Sequence, residues 1–161
     1  MRALVVTVST RAAAGTYADR SGPLLVAALV GLGFEVDGPS VVPDGPEIES
    51  VLSSAVHDEY DVVITTGGTG LAPTDVTPEH TAAIIRREVP GIADAVRSAG
   101  HDSGVATAAL SRGVAGIAGS TLIVNLPGSP GGARDGIEVL APLLVHAVEQ
   151  IRGGGDHGVT P

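Results

Sequence analysis

Hydrophobic positions along the chain alternate between two spacings. Arg2 to Ser9 (RALVVTVS) is a nearly unbroken apolar run of the length of a buried strand. Ser21 to Leu32 carries Leu25, Ala28, Leu29 and Leu32 at helical spacing, with Gly33 as the residue that ends the helix. Phe34 to Val42 reads as a second strand, interrupted by Gly38 and Pro39. Pro46 to Val56 is helical, with Ile48, Val51, Leu52, Ala55 and Val56 on one stripe. Asp61 to Thr66 (DVVITT) is a third buried strand. Thr77 fits an N-cap with Pro78 at the first helical position, and another helix starts near Pro90. Ser111 to Ala118 and Thr121 to Leu126 flank Gly119-Ser120 as a hairpin. From Ser129-Pro130 a last helix runs to about Ile151, with Ile137, Leu140, Leu144, Val148 and Ile151 inward. Pro142 predicts a kink or a late start there.

Strands alternating with helical patterns predict an α/β fold with a mostly parallel central sheet. A length of 161 residues suits one compact domain, taken as 1–152, with a flexible tail over 153–161. No internal repeat or interdomain linker interrupts it.

Composition narrows the possible functions. Apolar residues make up 43% of the chain, which excludes a disordered polymer. Aromatics are 2%, so the core must be built from Val, Ala, Leu and Ile. There is no Cys, hence no disulfide and no thiolate metal site. Acidic side chains number 18 against 9 basic ones, giving a formal charge of −9, and every basic residue is Arg. Such a chain, without a basic run, repels nucleic acid and anionic membranes. Without Lys it can form neither a Schiff base nor a Lys-containing phosphate loop. The apolar run Leu24–Leu32 is far below spanning length, and the N-terminal run is too short for a signal peptide, so a soluble, cytoplasmic protein is expected.

Ligands of open α/β sheets sit beyond the carboxyl ends of parallel strands, and three such ends are unusual here. One is Val42-Pro43-Asp44-Gly45-Pro46. The next is Thr65-Thr66-Gly67-Gly68-Thr69-Gly70, continuing through Thr74-Asp75-Val76-Thr77-Pro78-Glu79. The last is Asn125-Leu126-Pro127-Gly128-Ser129-Pro130. Three glycines in four residues after a buried strand let main-chain N–H groups approach an anion, and Thr66 and Thr69 add hydroxyls. Asp44 and Asp75 are each either turn-stabilising residues or ligands. As a pair beside an anion loop in a −9 chain, they match Mg²⁺ bound by few protein carboxylates plus substrate phosphates. Ser129 and Pro130 open a helix whose N-terminus favours negative charge. Arg112, after Ser111, is either a phosphate fork or a solvated strand arginine.

Other motifs fail. Residues 153–158 match GxGxxG, but no strand precedes and no helix follows. There is no GxSxG elbow. The five His (57, 80, 101, 146, 157) form no HxxxH pair and read as surface residues.

Six segments together are distinctive: VVTVSTRAAAGTYADRSGP near the start, VVPD at 41–44, VVITTGGTGLAPTDVTPE at 62–79, REVPG at 87–91, ALSRGVAG at 109–116 and TLIVNLPGSPGGARD at 121–135. On these the chain resembles the MogA/MoaB family of molybdenum cofactor biosynthesis, which includes the G domain of gephyrin and its plant counterpart. The resemblance implies a three-layer αβα sandwich, a homotrimer, and adenylylation of molybdopterin by ATP with Mg²⁺, releasing pyrophosphate. It implies Asp44 and Asp75 as catalytic, metal-holding residues. It also implies substrate contacts from Ser9, Thr66, Gly67, Gly68, Thr69, Gly70, Ser111, Arg112, Asn125, Pro127, Gly128 and Ser129. The product would pass to a downstream molybdate-insertion protein. The alternatives are a non-catalytic, MoaB-type molybdopterin-binding protein and a nucleotide diphosphate hydrolase.

Overall fold

The computed structural model describes residues 1–154. Six strands form one sheet in the order β2-β1-β3-β6-β5-β4. They are β1 (Arg2–Val8), β2 (Glu35–Val42), β3 (Val62–Thr66), β4 (Arg87–Glu88), β5 (Ala115–Ala118) and β6 (Thr121–Leu126). β2, β1, β3 and β6 run parallel, and β5 lies antiparallel between β6 and β4. The central register pairs Thr7 with Thr66 and Thr66 with Leu126, so three strands end level with one another.

Side-chain alternation divides the core in two. From β1, Ala3 and Val5 face α2 (Ser21–Gly31), α5 (Pro90–Asp102) and α6 (Pro130–Ile151). Leu4, Val6 and Val8 face the opposite way, where Ile48, Leu52 and Ala55 of α3 (Pro46–His57) meet them. Partly buried Ile84 of α4 (Thr77–Ile84) joins this second layer. Both faces are thus covered, which is why β3 is buried along its whole length and reads as a continuous apolar run. The result is the expected three-layer α/β fold with its C-terminal hairpin.

Several local expectations are corrected. β2 continues through Gly38-Pro39, because an edge strand tolerates proline; the register shifts between Leu4 and Val6. Pro142 lies within an unbroken α6. The carbonyl it strips of a partner belongs to exposed Glu138, where water can serve instead, while Leu140, Leu144 and Val148 remain buried on the inner stripe. Thr77 is the first residue of α4, with Val76 at the N-cap. Its hydroxyl donates to Gly67 O at 2.9 Å instead of capping the helix. The hairpin strand β5 begins at Ala115, not Ser111, because Arg112 N–H donates to Thr69 O and Val114 N–H to Asn125 Oδ1. The short α1 (Thr10–Ala13), β4 and a 3-10 helix over Ala106–Leu110 are additional. At the C-terminus, Gly153 and Gly154 close the last turn through Gln150 O and Glu149 O. The tail expectation beyond Gly154 lies outside the described residues.

Candidate functional site at the strand ends

β1 lies between β2 and β3, so the chain leaves it first to one side and then to the other. This is the switch point at which open α/β sheets leave a crevice. A cavity of about 620 Å³ opens there, lined by Ser9, Asp44, Gly68, Asp75, Gly128 and Ser129 among others. A second, of about 690 Å³, adjoins it with apolar walls that include Leu71, Val96, Val105 and Leu110. Gly68, Asp75, Gly128 and Ser129 line both.

The glycine loop is shaped by close backbone approach. Gly67 has φ +100°, and a Cβ there would lie 2.2 Å from Val8 O. Its N–H donates to Leu126 O, and its carbonyl receives the Thr77 hydroxyl. Gly68, at φ +64°, has no room for a side chain beside Thr77 Oγ1. With Gly68 O accepting from Thr77 N–H, the loop is bound by its carbonyls. Among the described residues, the N–H groups of Gly68, Thr69 and Gly70 donate to no protein acceptor.

The two carboxylates flank this loop. Asp44 Oδ1 lies 3.0 Å from where a Gly68 Cβ would be, and Asp75 Oδ2 lies 2.7 Å from the corresponding position on Gly70. Asp44 Oδ2 accepts from Thr10 N–H at 3.1 Å and Thr10 Oγ1 at 2.7 Å. Asp75 Oδ2 accepts from Ala72 N–H at 3.0 Å. Asp75 therefore stabilises its own turn with one oxygen, whereas Asp44 uses one to tie the start of α1, 34 residues back, to the segment after β2. The Oδ1 of each meets no protein donor among the described residues, so turn residue and ligand are compatible in Asp75, and Asp44 is a tertiary brace with one oxygen left over. Two helix starts complete the rim. Ser129 Oγ accepts from Gly132 N–H and caps α6, and Ser21 at the start of α2 donates to Gly128 O at 2.9 Å.

Three residues expected to contact substrate are turned to other tasks. Asn125 is buried: its Nδ2 donates to Thr65 Oγ1 at 2.9 Å and Thr81 Oγ1 at 3.0 Å, and its Oδ1 accepts from Val114 N–H. It braces β6 to β3 and α4 and lines neither cavity. Thr66 lines the first cavity, but its hydroxyl donates to Pro127 O at 2.7 Å. Arg112 is neither a free fork nor a solvated strand residue. Its guanidinium binds Gly70 O, Asp75 O and Glu79, and it lines neither cavity. Arg112 holds the Glu79 carboxyl below its ordinary range by hydrogen bonding. Thr69, Ser111 and Pro127 line the second cavity, whereas Ser9 and Gly67 line the first. Gly70 lines the second.

Part of the rim was not read from the sequence. Thr7, Thr10, Arg11, Tyr17, Asp19 and Arg20 line the first cavity together with Ser9. Asp19 accepts from Gly22 N–H and Thr7 Oγ1, and the Arg11 guanidinium lies 4.8 Å from the Tyr17 ring centroid. The strand-end rule that picked the other three loops also picks the end of β1, since β1 is central.

Among the described residues no cluster of three or more His, Asp or Glu side chains gathers around one point. No described helix is long and apolar enough to cross a membrane.

An open α/β sheet with a divided crevice at its switch point, walled by main-chain amides and half-free carboxylates, defines a ligand-binding protein of the strand-end class. Residues 4–146 match the family model described as "probable molybdopterin binding domain". A molybdopterin adenylyltransferase from Helicobacter pylori is 36% identical over 156 residues, covering 92% of this chain and 86% of that protein. A molybdenum cofactor biosynthesis bifunctional protein from Chlorobaculum tepidum is 36% identical over 155 residues, and this chain spans about half of its length (49%). A solved structure of MogA superposes with a TM-score of 0.91 at 54% identity, covering 94% of this chain and 99% of that one. A Mog protein from Mycobacterium ulcerans gives 0.89 at 50% identity, covering 93% and 98%. The chain belongs to the MogA/MoaB family of molybdenum cofactor biosynthesis.

Proposed function

We propose that the protein is a molybdopterin adenylyltransferase. A terminal phosphate oxygen of molybdopterin attacks the α-phosphorus of ATP, a new P–O–P linkage forms, and the bond to the β-phosphate breaks to release pyrophosphate. The observation that supports it most is the pairing of Asp44 and Asp75 on one cavity, each with an uncommitted Oδ1, on either side of a loop with free amides.

The chemistry needs no nucleophilic side chain, because the attacking group is already a phosphate. The chain's task is positioning and charge neutralisation. The N–H groups of Gly68, Thr69 and Gly70 donate to phosphate oxygens, and the N-terminal ends of α2 and α6 favour the same charge. Arg11 and Arg20 add positive charge at the first cavity of a chain whose net charge is −9. Asp44 and Asp75, with hard oxygen donors and the remaining positions left to phosphate and water, fit Mg²⁺. When bound there, the ion supplies neutralisation of the triphosphate and of the leaving pyrophosphate.

The reading extends to a homotrimeric, cytoplasmic protein whose adenylylated product passes to a molybdate-insertion protein. The test is pyrophosphate release from MgATP with and without molybdopterin. Release only with the pterin is the expected result, and Asp75→Asn should lower turnover by about 100-fold or more with little change in Tm. Pterin binding that ignores nucleotide would establish the non-catalytic, MoaB-type alternative, and AMP release without pterin a hydrolase.

A further inference from the structure

Four contacts run from Arg112 to the segment that carries Asp75. Its N–H donates to Thr69 O at 2.8 Å, its Nε to Gly70 O at 2.8 Å and its Nη2 to Asp75 O at 2.6 Å. Its Nη1 meets the Glu79 carboxylate in the first turn of α4. One planar group thus holds both ends of the 70–75 loop and the helix that follows. The acceptors are 42, 37 and 33 residues distant in sequence, so the contact is tertiary. Asp75's own turn, through Ala72, sets the local conformation but not its place against the glycine loop.

Those acceptors are all protein groups, and Arg112 lines neither cavity, whereas Gly68 and Asp75 line both. Only a forked guanidinium spans acceptors spread this way; an ammonium is a point donor.

We infer that Arg112 is a positioning residue: by clasping Gly70 O, Asp75 O and Glu79 it fixes the Asp75 carboxylate relative to the Gly68–Gly70 amides without touching substrate. The inference rests on the adenylyltransferase reading and replaces the direct phosphate contact expected of this arginine. Glu79 is its anchor, so loosening either partner should displace the same carboxylate.

Steady-state pyrophosphate release by the full chain tests it, with Mg²⁺, ATP and molybdopterin varied separately. Arg112→Lys should lower kcat about 10- to 100-fold and raise the Mg²⁺ needed for half-maximal rate, leaving the molybdopterin KM within about twofold. Glu79→Gln should move the same two quantities the same way but less, and keeps the test open should Arg112→Lys unfold. The double variant should be no worse than Arg112→Lys alone. A raised molybdopterin or ATP KM with unchanged kcat would overturn the clasp in favour of direct substrate contact. Wild-type kcat and Mg²⁺ dependence in either variant would overturn it as well. An inactive wild-type protein would overturn the functional reading itself, a result separate from both.

Discussion

Gly67 and Gly128 meet backbone to backbone: a Cβ on Gly128 would stand 3.0 Å from Gly67 Cα. The loops after β3 and β6 therefore close on each other with no side chain between them. Gly67 has no slack on its other side, where Val8 O blocks any Cβ at 2.2 Å. Gly67→Ala should destabilise the fold by at least about 1–3 kcal/mol from backbone conformation alone, because alanine is strained at φ +100° and the blocking atom is main chain. Urea denaturation measures it. A variant as stable as wild type would mean that the loop relaxes away from Val8.

Asn125 joins three elements from a site that water does not reach. Asn125→Ala would leave the Thr65 hydroxyl and the Val114 N–H without their partner, while the Thr81 hydroxyl keeps its bond to Thr77 O. At about 1–3 kcal/mol for a buried polar group left unsatisfied, the loss should be roughly 2 kcal/mol or more. The denaturation midpoint should fall while the m-value holds.

The Glu79 carboxyl is acidified in the folded state, first by its hydrogen bond from Arg112. A depressed folded pKa means that the contribution is complete above the unfolded value, near 4.5, and is lost as pH falls through the folded one. The stability difference between wild type and Glu79→Gln should be constant near neutrality and shrink in acid. Glu79 is half exposed, so solvent screening keeps the effect small. A difference that grows below that pH would reverse the sign and refute the assignment.

Tyr60 behaves in the opposite sense. Its hydroxyl donates to Asp37 Oδ2 at 2.6 Å, and this bond, then burial and the Asp37 charge, push the phenol above 10.0. Its contribution is complete below the unfolded pKa and lost as pH rises through the folded one. Ultraviolet titration should show a late phenolate in wild type that is absent from Tyr60→Phe.

The layered core was legible because both faces of β1, β3 and β6 are apolar, and such runs identify themselves locally. β4 was not, being two exposed residues that join the sheet only through β5. Thr77 has the right local chemistry for a cap, yet its hydroxyl goes to Gly67, ten residues back. In the candidate site, Asp44 and Asp75 could be picked because strand ends and acidic turns are sequence features. The tasks of Arg112 and Asn125 could not, since Arg112 reaches Glu79 at 33 residues and Asn125 reaches Thr65 at 60, and no local pattern encodes either contact. The segment after β1 carried its signal in plain view, as the end of a central strand.

Gly68, Asp75, Gly128 and Ser129 form a party wall between the two chambers. Any substitution in that strip reads on both compartments at once, so its phenotype cannot be credited to a single ligand. Genetic dissection of one chamber has to start from residues facing it alone: Ser21 on one side, Leu71 on the other.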